Sequence, residues 1–161
     1  MTYFEDQIQN IVSKVGISEN GNNFNAVFDY GNENDLNKFL TLYKEKAYPL
    51  FFLVNNTDIY SVENKLKEVI RNNARIIIAI QKPETIDLLT KDWYASAFKN
   101  VLSPLANTFA IELDKTKNAT TSSTYRVDKY ANYSQNGEDN ATIDVCNVIV
   151  LEYDFIKFKI C

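Results

Sequence analysis

The residues with most capacity for chemistry are four carboxylates, Asp128, Glu138, Asp139 and Asp144, which together could hold a divalent cation or share acid–base work. Their spacing argues for something plainer. Asp139-Asn140-Ala141-Thr142 lacks the alternating oxygen ligands and central glycine of an EF-hand loop, so the stretch reads as a solvated acidic loop. Cys146 has neither a histidine nor an adjacent basic residue to stabilise a thiolate, and it reads as a small apolar core residue. The chain contains 0 histidines. That removes the commonest general base, the Ser-His and Cys-His nucleophile pairs and the usual zinc ligands. The 4 glycines, Gly16, Gly21, Gly31 and Gly137, are scattered, and none opens a phosphate-binding loop. No catalytic, cofactor-binding or metal-ligating set is expected, and the protein is read as not an enzyme.

A different chemistry is offered by Tyr125, Tyr130 and Tyr133, which stand beside Arg126 and Lys129 in a polar, turn-rich segment. Tyrosine and arginine mixed in this way are enriched at protein interfaces, because each combines a broad apolar surface with a polar tip. Two readings stay open: an interface, or a loop folded back on its own domain. In the terminal segment Lys157 and Lys159 alternate with Ile156, Phe158 and Ile160. That pattern suits a half-buried edge strand whose charges discourage stray pairing, or one that accepts a strand from a neighbouring subunit. The candidate subunit interface is therefore Tyr125, Arg126, Lys129, Tyr130, Tyr133, Lys157 and Lys159.

The elements that must position these residues follow from apolar spacing. With 161 residues, 45% hydrophobic and 24% charged, the chain has the composition of one globular domain with its own core. A net charge of −4 and the absence of a dense basic run argue against duplex nucleic acid as a partner. Cys146 and Cys161 are read as free thiols. Met1 to Asp6 lack a basic stretch followed by an apolar one, so no signal peptide is expected, and no apolar run approaches the ~20 residues of a membrane helix.

Ile8, Ile11, Val12 and Val15 predict an amphipathic helix ended by Gly16, and Asn20 to Asn23 a turn. Ala26 to Tyr30 predict a short strand; Leu36, Phe39, Leu40 and Tyr43 a second helix; Tyr48 to Val54 a central strand. Residues 62–71 fit a helix or a strand, with the helix favoured by Val62, Leu66, Val69 and Ile70. Ala74 to Ile80 predict a buried strand, and Trp93 to Leu113 a long helix kinked or interrupted at Pro104. Residues 114–142 read as an extended polar loop, followed by the terminal strand. The fold class expected is α+β, one mixed or antiparallel sheet of about four strands packed with two to four helices.

Three features in sequence order resemble tail-terminator-like neck and tail ring proteins of tailed bacteriophages, the crAss-like and other Bacteroidetes phages among them. They are Tyr48-Pro49-Leu50 opening an apolar strand, the stretch Trp93-Tyr94 through Phe98, Val101, Leu102 and Pro104, and an Asp/Asn-containing loop leading through Asp144 into an alternating terminal strand. The resemblance spans residues 40–161 and implies a single tail-terminator-like domain over 1–161. It further implies a non-enzymatic virion protein in a homo-oligomeric ring of six or twelve at the head–tail neck, between portal or adaptor and tail proteins. Genomic DNA would pass through the lumen without specific binding, for which an acidic chain is suited. Assembly in the bacterial cytoplasm and residence in the virion go with it. The alternative drawn from composition is a soluble adaptor or immunity-type protein that binds one protein partner through the Tyr-rich loop.

Overall fold

The β-branched run Ile76-Ile77-Ile78 seeds a strand that extends far past it on the N-terminal side. In the computed structural model, which describes residues 3–19, 22–32, 35–36, 49–63, 66–81, 95–133 and 146–160, this strand is β6, Leu66–Gln81. It follows a helix α1 (Phe4–Val12), a hairpin of β1 (Gly16–Glu19) and β2 (Asn22–Asn25), and strands β3 (Val27–Gly31), β4 (Leu50–Val54) and β5 (Asp58–Glu63). After it come a π-helical run Ala95–Leu102, helix α2 (Ser103–Lys115), and strands β7 (Ala119–Thr121), β8 (Tyr125–Tyr133) and β9 (Cys146–Ile160).

The fold is α+β, with one mixed sheet of seven strands instead of about four. Its axis is the antiparallel pair β6–β9, in register from Lys67 opposite Ile160 to Gln81 opposite Cys146. Each long strand serves two partners in succession. β5 pairs with Arg71 and the residues before it, and β4 takes over at Ile76. On the other side β8 pairs with β9 up to Tyr153, and β7 takes over from Ile156. The parallel pair β3–β4 completes the sheet.

Both handovers fall at one level, marked by Asn73, whose φ of +52° is left-handed. Val69 shares the larger core cluster with Ala74, Ile76 and Ile78; Phe158 and Ile156 share it with Tyr153, Leu151 and Ile149. Side chains on a strand alternate between faces, so odd and even positions can line one face only if each strand changes phase. Both do so between the pairs Asn72–Phe155 and Ala74–Tyr153. The joint is held from both flanks: Asn56 Nδ2 donates to the Asn72 carbonyl at 2.9 Å, and the Ser122 hydroxyl accepts from the Asp154 N–H at 3.1 Å.

On one side of this joint the sheet is buried on both faces. α1, α2 and the π-helical run cover one face through Phe4, Ile8, Phe98, Leu102 and Phe109, while Leu36 joins Phe52, Ile77, Val148 and Val150 on the other. Double burial is why Leu50 to Leu53 and Ile76 to Ala79 are continuous apolar runs. On the other side of the joint the sheet carries a buried charge. Arg71 is 1% exposed, with Nε 2.7 Å from Asp58 Oδ1, Nη2 2.6 Å from Glu5 Oε1, and its guanidinium carbon 4.4 Å above the Phe4 ring. Burial alone would lower its pKa; the hydrogen bonds it donates to Asp58 and Glu5, with the negative charges of both, together outweigh that and raise it.

Several expectations need correction. Residues 62–71 belong to β5 and β6, because Val69 and Arg71 pack under α1 with strand periodicity once β5 pairs beside them. The helix ends at Val12, and Gly16 opens β1; Asn22 and Asn23 lie in β2. The long helix, by contrast, is interrupted at Pro104 as expected, a π-helical run giving way at Ser103 to α2 with Pro104 in its first turn. In the expected loop 114–142, Ala119–Thr121 and Tyr125–Tyr133 are strands, since β9 offers a long edge to pair with; 134–142 lie outside the described residues. The terminal strand β9 is interior, bonded on both sides, and is no edge. The helix expected from Leu36 to Tyr43, and Trp93-Tyr94, lie outside the described residues apart from Leu36.

Arg71→Met leaves Glu5 and Asp58 half-buried without a cation and should cost about 3 kcal/mol in urea unfolding, part of it recovered by adding Glu5→Gln and Asp58→Asn. By the same measurement Asn73→Val should cost about 1–2 kcal/mol and Asn73→Gly almost nothing, because only the β-branched residue resists a left-handed φ.

Candidate association surface

The Tyr-rich segment becomes a strand because it can pair with β9, and its three tyrosines and Val127 are residue types suited to one. Tyr125 lies opposite Tyr153, Arg126 opposite Glu152, Val127 opposite Leu151, Asp128 opposite Val150, Lys129 opposite Ile149 and Tyr130 opposite Val148. An irregularity follows, and Tyr133 lies opposite Cys146. The outer edge of β8 pairs with no strand among the described residues. Every residue from Tyr125 to Tyr130 is exposed, the three large ones with apolar surface being Tyr125 (38%), Val127 (43%) and Tyr130 (42%).

Alternation divides these side chains between the faces. Tyr125, Val127 and Lys129 stand on the face of the larger core cluster, and Arg126, Asp128 and Tyr130 on the reverse. The Tyr125 ring stacks on Tyr153, with centroids 4.8 Å apart. Arg126 Nη2 lies 2.5 Å from Glu152 Oε1, and its side chain is still 71% exposed. Beside the start of β8, between α2 and the β7–β8 turn, runs an open groove of about 480 Å³, lined by Ile111, Asp114, Ser122, Tyr125 and Tyr153. Burial pushes the Tyr153 phenol up from its ordinary value, with the nearby Tyr125 and Asp114 adding to the shift.

The structure thus brings Tyr125, Arg126, Lys129 and Tyr130 together on one strand and continues the same backbone to Tyr133. It places Lys157 and Lys159 elsewhere. Lys157 Nζ lies 3.7 Å from Glu68 Oε2 across the β6–β9 pair, and the Lys159 N–H donates to the Asn118 carbonyl at 2.8 Å, beside β7. Val127 and Asp128 complete the surface, and a reading focused on aromatic and basic residues passed over both as contact residues. Strand alternation around Val127 was the signal that could have found them.

Of the four carboxylates weighed for metal or acid–base chemistry, Asp128 points outward from β8, and Glu138, Asp139 and Asp144 lie outside the described residues. Among the described residues no group of three acidic or thiol side chains is placed to hold a metal ion, and no helix is long and apolar enough to cross a membrane. No protein-family model matches the chain, and no curated protein matches it in sequence.

The raised Tyr153 pKa gives a stability term with a definite sign. The unfolded phenol ionises first, so the contribution is complete below about pH 10 and is lost as pH rises toward the folded value. Urea unfolding of the wild type between about pH 9 and 11 should lose up to about 1.4 kcal/mol per pH unit more than that of Tyr153→Phe.

Proposed function

We propose that the protein is a non-enzymatic structural subunit that works by packing against copies of itself, as a ring component at the head–tail neck of a tailed bacteriophage. The observation that carries the self-association is the outer edge of β8. A strand edge presents unsatisfied N–H and C=O groups, and proteins that do not use such an edge keep it short, cover it, or crowd it with charge. Among the described residues no strand pairs with this edge, and nine residues run along it, with tyrosines and a valine among the charges. The order of motifs over residues 40–161 supports the finer reading of a neck ring of six or twelve subunits joining the portal side to the tail. A net charge of −4 is compatible with a lumen through which DNA slides without being gripped.

Native mass spectrometry and negative-stain electron microscopy of the purified full chain should show a closed assembly of six or twelve copies. A chain that stays monomeric at every concentration, or that forms only a one-to-one complex with a different protein, would overturn the reading in favour of an adaptor.

A further inference from the structure

Helix α2 carries near its end a residue that works against it. Asp114 stands in the last turn, where the free carbonyl ends of the helix already concentrate negative charge and a carboxylate is disfavoured. It is exposed and forms no ion pair among the described residues, whereas Lys115 beside it turns back to Glu112 at 3.7 Å. A side chain that costs the helix and gains no partner within the chain points to a use outside it.

Asp114 borders the groove of about 480 Å³ between α2 and the β7–β8 turn, and of the residues lining that groove it alone is charged. Ile111, one turn earlier on the same side of the helix and 53% exposed, gives the groove an apolar wall. Facing them is the stacked pair Tyr125 and Tyr153. Tyr153 is only 3% exposed, yet its hydroxyl has no hydrogen-bond partner among the described residues. A buried phenol ordinarily finds such a partner, and one that lines a groove without it is placed to receive a polar group from outside.

Negative charge on one wall, an aromatic ring on the other and an unmatched phenol oxygen together select a cation, and a flat one. A guanidinium has a fork of N–H donors and no acceptor, so it can pair with Asp114, donate to the Tyr153 oxygen and lie against the Tyr125 ring at once, with its methylene stem along Ile111. An ammonium is a point charge and meets fewer of these groups. The groove is open, which suits a side chain carried in by another polypeptide better than a free small molecule, whose sites mostly enclose it. This chain's own arginines are Arg71, Arg75 and Arg126. Arg71 lies inside the core, Arg75 has an interaction within the chain, and Arg126 holds Glu152.

We infer that the groove between α2 and the β7–β8 turn receives an arginine side chain of a different protein, held by Asp114, Tyr125 and Tyr153. The inference is independent of self-packing through β8 and adds a second kind of partner.

The test titrates the full chain with N-acetyl-arginine-N-methylamide and follows the backbone amide signals by NMR. Shifts are expected at Asp114, Ser123 and Tyr125, and the citrulline analogue, which keeps the shape and loses the charge, should bind about tenfold or more weakly. Asp114→Asn should abolish the shifts while its urea midpoint equals or exceeds that of the wild type, since the carboxylate opposes the helix dipole. Tyr125→Phe should retain binding, and Tyr125→Leu should weaken it about threefold or more. No shift at these residues up to the solubility limit of the probe, equal binding of the citrulline analogue, or shifts that survive Asp114→Asn overturns the site. A fall in the Asp114→Asn midpoint assigns that carboxylate to the fold and overturns the inference as well. Equal binding of N-acetyl-lysine-N-methylamide overturns the assignment to arginine, and tighter binding of free arginine than of the blocked probe overturns the polypeptide source. Self-association is read separately, by native mass spectrometry, and stands or falls without this groove.

Discussion

The constraint on which the rest of the structure depends is the buried guanidinium of Arg71. It is the only fully buried charged side chain among the described residues, and it can be there only because three elements supply its partners. Glu5 comes from α1, Asp58 from the adjacent strand β5, and the Val54 carbonyl, 3.4 Å from Nη1, from the end of β4. Phe4 closes the site with its ring face. A charge removed from water must be paired, and its bonding directions are far narrower than those of an apolar contact. Arg71 therefore fixes where the N-terminal helix lies and where β4 gives way to β5. Other packings of the same apolar residues would leave it unsatisfied.

That handover lies close to the joint at Asn73, and the two features belong together. A sixteen-residue strand with strict alternation would commit one set of side chains to one face throughout. The phase change lets Val69 and Arg71 share a core with Ala74, Ile76 and Ile78. Because β9 changes phase at the same level, the pairing stays in register across the joint. The outer strands do not follow the joint, which accounts for four separate partners around two long strands. β8 is one of them. Its pairing with β9 is a consequence of how the central pair is built, and its outer side meets no other strand among the described residues.

Much of this was legible in the sequence, and the parts that were not have a common cause. The strands at Leu50–Val54 and Ala74 to Ile80 declare themselves because their residues are apolar and β-branched whatever lies beside them. The amphipathic face of α1 and the break at Pro104 are equally local. Residues 62–71 were ambiguous because Leu66, Val69 and Ile70 satisfy helical and strand spacing alike. The interface residues Tyr125 to Tyr130 stood out by type and were assigned to a loop, since nothing near them in sequence says that β9 will bond to them.

The sequence by itself determined the composition of the core, the positions of its most apolar strands, the lack of histidine chemistry and the grouping of tyrosines with basic residues at 125–133. The tertiary structure decided that Arg71 would be buried, that β6 and β9 would change phase, that the terminal strand would be interior and that the tyrosine segment would be a strand paired with β9. The physical reason is range. Apolar periodicity reports how one segment meets a surface, whereas Glu5 and Arg71 are 66 residues apart, and β6 and β9 pair across a comparable or longer stretch; their choice depends on satisfying every buried polar group at once.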